Sequence, residues 1–112
     1  MVIESWAMHA MPCGGQTSEQ FGAWLEENPL VEGDEIAVRE TQAGMWTYRL
    51  RHVTSPDHGG QHRIVVDQEG SFYRSGNSCF HPKGQTRLVT ATDAVREAAR
   101  SNRAFQCNDV PD

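Results

Sequence analysis

Lysine is almost missing from this chain: Lys83 stands alone against nine arginines. Cysteine is scarce as well. Cys13, Cys79 and Cys107 are odd in number and widely spaced, which excludes a disulfide framework and predicts reduced thiols. No apolar run approaches the roughly 18 residues of a transmembrane helix. Residues 1–33 contain no lysine or arginine, so the basic start of a secretory signal is missing. These absences lead to the expectation of a cytoplasmic protein that does not enter a membrane. Dinucleotide and phosphate-loop glycine motifs, H-E-x-x-H and G-x-S-x-G are absent too. No reaction is dictated, and the expectation is a protein that is not an enzyme and uses no cofactor.

What the chain does contain suits one domain of 112 residues. Apolar residues are 38% and charged residues 22%, ordinary values for a folded protein. The net charge of −5 is unevenly spread. Residues 1–33 carry five glutamates and no basic side chain, residues 34–91 carry seven basic side chains against six acids, and residues 92–112 carry three against four. An acidic first third therefore precedes a nearly balanced middle.

The middle, residues 34–91, reads as short alternating segments cut by glycines: DEIAVRE, MWTYRLRHV, HRIVVD, SFYRS, SCFH and TRLVTA. Such runs, spaced by turn signals, predict a small twisted antiparallel sheet or a partly closed, SH3-like barrel of five to six strands. Ile36, Val38, Ile64, Val66, Phe72, Phe80 and Leu88 are the expected core. Trp46, Tyr48 and Leu50 alternate with Thr47, Arg49 and Arg51, which predicts an apolar face backed by a cationic one. Asp67–Gly70 fits a tight hairpin loop, with Gly70 free to take positive φ.

Two helices flank the sheet, completing an α+β fold. Residues 18–27 form the first: Thr17 and Gln20 match a capping box, and Phe21, Trp24 and Leu25 share a face. Asn28-Pro29 ends it, because a residue before proline leaves the α region. Residues 93–103 form the second, capped by Thr92, with Arg96, Glu97, Arg100 and Arg103 facing water. The tail from Phe105 to Asp112 is expected to fray apart from Phe105. Residues 1–16 read as either a short helix capped by Ser5 or an edge strand, ended by Pro12 and Gly14-Gly15. Their Trp6, Met8 and Met11 pack on the domain's own core or form an apolar arm for another chain.

Three functional readings arise. The leading one is a small non-enzymatic interaction module, a regulator or inhibitor of the kind that phages and mobile elements encode. It docks on a protein with a basic surface through Glu19, Glu26 and Glu27, the arm residues Trp6, Met8 and Met11, and the sheet residues Arg49 and Arg51. The chain also has the features of a homodimer, an apolar arm and a sheet edge open to pairing. The second reading is a small barrel binding single-stranded nucleic acid, with Arg49, Arg51, Arg63, Arg74 and Arg87 on phosphates and Tyr73 under a base. Its counter-reading is that the same arginines pair with Glu35, Glu40, Asp67 and Glu69 across strands. The third reading is a zinc site built from His58, His62, Cys79 and His81, although the spacing is not that of a zinc knuckle.

Overall fold

A computed structural model describes residues 16–42, 45–57, 63–80, 86–102 and 104–106. Among them the order of elements is α1 (Ser18–Glu27), β1 (Glu35–Gln42), β2 (Met45–Ser55), β3 (Ile64–Val66), β4 (Gly70–Phe72), β5 (Thr86–Val89), α2 (Asp93–Arg100) and β6 (Phe105–Gln106). Five strands form an antiparallel sheet in the order β4-β3-β2-β1-β5, and β6 adds a short pairing at the start of β2. The sheet is strongly curled into a half-barrel.

The curl has a local cause. β2 runs for 11 residues and changes partner along its length. Its first part pairs with β1 in unbroken register, from Glu35 opposite His52 to Gln42 opposite Met45. At Val53–Ser55 the register with β3 slips, and such a bulge bends a strand and tightens its twist. The β3–β4 hairpin then turns through Gln68 and Gly70, both at positive φ (68° and 92°). From β4 the chain continues round the curl. Tyr73 N–H donates to Asn77 O (2.8 Å), Cys79 N–H to Ser71 O (3.0 Å), Ser78 N–H to Thr86 O (3.1 Å) and Leu88 N–H to Gly76 O (2.7 Å). Single bridges at Phe72–Ser78 and Asn77–Arg87 thus span the gap between β4 and β5.

Inside the curl lies the main core. All five strands contribute, through Ile36, Val38, Val53, Ile64, Val66, Phe72 and Leu88, and α1 closes it with Phe21 and Leu25. The helix is set by its sequence as expected. Thr17 Oγ1 accepts from Gln20 N–H (3.1 Å), Gln20 Oε1 accepts from Thr17 N–H (2.9 Å), and Asn28 ends the helix on Trp24 O. A second cluster occupies the outer face, where Ala37, Tyr48 and Val89 pack against Val95 and Ala98 of α2. β1 is therefore covered on both faces: Ile36, Ala37 and Val38 are all fully buried.

Four details depart from expectation. Phe80 is not core; it is 70% exposed, and its ring lies beside Gly70, where a Cβ would sit 3.0 Å from it. The SCFH segment contributes, among its described residues, only the bridge at Ser78 rather than a strand. The second helix stops at Arg100, because Ser101 turns its hydroxyl back to Glu97 O (2.8 Å) and Asn102 takes a left-handed φ of 55°. Gln106 joins Phe105 in a short strand, β6, opposite Met45 and Trp46. No helix of the described residues is long and apolar enough to cross a membrane.

Candidate interaction surface

The surface of α1 follows directly from its amphipathic sequence. Phe21 and Leu25 point inward, and the return face carries Glu19, Glu26 and Glu27, all exposed. None of the three forms an ion pair among the described residues, and the last turn of α1 holds no basic residue. Beside them runs a shallow groove of about 370 Å³ lined by Glu19, Gly22, Ala23, Leu25, Glu26 and Arg74. Gly22 opens it, since nothing lies within 4 Å of where its Cβ would stand. Arg74 arrives on the turn after β4, next to Tyr73, which is 40% exposed. Val31, in the turn that follows α1, is 59% exposed.

The cationic sheet face is differently arranged. Arg49 and Arg51 stand opposite Val38 and Ile36, so they share the inner face of the curl, each partly exposed. Arg49 gives Nε and Nη2 to the two oxygens of Glu69 (2.8 and 3.0 Å) and Nη1 to Glu40. Arg51 Nε donates to Glu69 Oε2 at 3.0 Å. The bonds from Glu69 hold the Arg49 guanidinium well above its ordinary pKa, against the pull of burial. Glu69 is itself pushed upward by burial, but Arg49 and Arg51 outweigh that and leave it below the usual carboxylate range. These two arginines are committed to carboxylates of the same chain.

The remaining candidates separate. Arg63 stacks over Tyr73, 5.6 Å from the ring centroid. Arg87 is buried rather than displayed, at 7% exposure. The arginines singled out for a phosphate track therefore do not form one. Cys79 is half-buried and unbonded to another cysteine. His58, His62 and His81 lie outside the described residues, as do Trp6, Met8 and Met11. Among the described residues no group of three metal-ligating side chains comes together.

Sequence reasoning placed Arg87 on a displayed cationic face and did not single out Arg39, yet the two arginines belong together. Arg39 and Arg87 face each other across β1 and β5, buried to 8% and 7% exposure, and no carboxylate of the described residues pairs with either. Arg39 lies over the Trp46 ring, 4.0 Å from its centroid, and Arg87 Nη2 donates to Ser75 O at 3.0 Å. The sequence signal is slight: Arg39 and Arg87 share a strand face with Ala37 and Val89, the face opposite to the expected core.

Comparison with protein-family models, with curated proteins and with solved structures gave no match in any of the three.

Proposed function

We propose that the protein is a non-enzymatic interaction module that binds a partner protein of basic surface through α1. One observation carries this reading: Glu19, Glu26 and Glu27 stand exposed on one helix, unpaired among the described residues, while Arg49, Arg51 and Arg96 are engaged by other carboxylates. Unpaired carboxylates on a rigid helix raise a local negative potential that steers and orients a cationic partner. The groove beside them and the exposed Tyr73 supply apolar contact next to the charge. A regulator or inhibitor that covers the basic groove of a nucleic-acid-handling protein fits this chemistry.

Nucleic-acid binding by the sheet is the weaker reading. Arg49 and Arg51 are already paired, and Arg74 shares its groove with Glu19 and Glu26, which would repel phosphates.

The test compares the wild-type chain with E19K/E26K/E27K as bait, using cross-linking and mass spectrometry in cell extract. Circular dichroism first establishes that both are folded. The expected result is a partner captured by the wild type through cross-links to α1, released by salt, and lost in the triple mutant. Equal capture by both chains would overturn the role of α1.

A further inference from the structure

Four residues form one row across the sheet: Tyr48 on β2, Arg39 on β1, Arg87 on β5 and Asn77 on the bridging segment. Each is directly opposite the next, so all four side chains leave the same face. Three buried side-chain atoms of the described residues have no hydrogen-bond partner: Arg39 Nε, Arg87 Nε and Asn77 Oδ1. All three belong to this row. Like charges directly opposite on neighbouring strands destabilise a sheet, and buried charges persist where they are paired. Here two arginine residues are more than nine-tenths buried on neighbouring strands, with no carboxylate of the described residues on either.

We propose that the Arg39–Arg87–Asn77 row receives a tetrahedral dianion of the phosphate class. The charge argues for a dianion: it neutralises both guanidinium groups, whereas one carboxylate would leave a buried positive charge. The donors fit as well. Guanidinium groups bind phosphate oxygens through paired N–H bonds, and both orphaned Nε–H groups are of that kind. Asn77 adds an amide that donates an N–H once its side chain is turned over, which also removes its orphaned oxygen from the row. The stack on Trp46 fixes the plane of Arg39, so little order remains to be imposed on binding. Burial lowers the pKa of both arginines, that of Arg87 to about 10 with a further contribution from Arg39, which is the strain an anion would relieve.

The experiment uses the whole chain with inorganic phosphate as probe. Thermal melts are taken in phosphate and in chloride of equal ionic strength, for the wild type, R39M and R87M. Phosphate also stabilises proteins in general by exclusion from their surface, and the two mutants measure that background. Once phosphate exceeds the dissociation constant, each further tenfold rise should lift the wild-type Tm by about 5 °C more than it lifts that of R39M or R87M. In chloride both mutants should melt no lower than the wild type, because methionine replaces a buried charge that no carboxylate of the described residues pairs. Arginine Nε–H resonances give a second readout on the wild type alone, so the result stands even where a mutant does not fold. Those of Arg39 and Arg87 should move together as phosphate is added. A parallel series with glycerol phosphate tells an ester-borne group, which moves the same resonances, from the free ion, which alone would move them. Equal phosphate shifts in all three chains, or Nε–H signals that stay still, would overturn the proposal.

Discussion

Glu69 holds Arg49 with both of its oxygens, Nε to Oε2 at 2.8 Å and Nη2 to Oε1 at 3.0 Å, and shares Oε2 with Arg51. The carboxylate stands at the end of the β3–β4 loop with only a tenth of its side chain exposed, so it ties the far hairpin to the middle of β2. Replacing Glu69 with Gln removes the charge and keeps the shape. Arg51 then loses its carboxylate and Arg49 keeps only Glu40. The expected cost is about 1–3 kcal/mol, read from the urea midpoint at neutral pH. An exposed pair would lose less than about 1 kcal/mol, so a midpoint within that bound would mean the network adds nothing to stability that an exposed pair would not.

The same carboxylate sets a pH dependence. Its pKa in the folded chain lies below the ordinary 4.5, because the arginine bonds outweigh the opposing pull of burial. A depressed carboxylate contributes stability that is present above the unfolded pKa and is lost as pH falls through the folded one. The stability gap between wild type and E69Q should therefore hold at neutral pH, shrink as pH falls below the ordinary carboxylate range, and close once Glu69 is protonated in the folded chain, where it resembles Gln. Urea titrations of both chains at pH 7 and pH 3 check this. A gap unchanged at pH 3 would place its origin in packing and not in charge.

How much of this is legible in the sequence depends on the range of the interaction. The first helix is legible throughout, since the Thr17–Gln20 box, the Phe21–Leu25 face and the Asn28-Pro29 stop are all local. The β1–β2 alternation is legible too. Arg39 and Arg87 do not read as buried, because alternation alone makes them outward and polar. Their burial follows from β1 being covered on both faces, and that depends on where α1 and α2 pack. Arg49 and Arg51 read as sharing a face, with carboxylate pairing as one alternative. Its realisation through Glu69, 18 and 20 residues away, depends on the hairpin folding back. Phe80 misleads because the rule that apolar residues go inside runs one way only.

Two glycines should respond in opposite directions to the same added methyl. Gly22 sits in mid-helix with open space around its Cβ position. Alanine there should stabilise by about 0.5–1 kcal/mol through helix propensity. It would also narrow the groove beside Glu19 and Glu26. Gly76 has φ of 101°, and a Cβ would stand 3.0 Å from Leu88 O and 3.3 Å from Phe21 Cδ2. Alanine at that position meets both a disfavoured backbone and a backbone oxygen that cannot yield. The expected cost is about 2 kcal/mol or more. Thermal melts of G22A and G76A should bracket the wild type, and a G76A melt at the wild-type temperature would show that the bridging segment relaxes freely.

Gln16 and Thr90 lie 74 residues apart and exchange two hydrogen bonds. Gln16 Nε2 donates to Thr90 Oγ1 at 2.8 Å, and Thr90 N–H donates to Gln16 Oε1 at 2.9 Å. Gln16 is 2% exposed, just before the cap of α1, and Thr90 follows β5. The pair therefore fastens the start of one helix to the strand that leads into the other. Replacing Gln16 with Leu leaves the Thr90 N–H without its acceptor, and such a loss costs about 1–3 kcal/mol. Thr90→Val removes only the hydroxyl acceptor and should cost less, since the N–H bond to Oε1 survives. In Q16L/T90V the hydroxyl bond is already gone, so the two losses should overlap. A double-mutant cycle should return a coupling of about 0.5 kcal/mol or more. Additive losses would mean that the amide and the hydroxyl act independently.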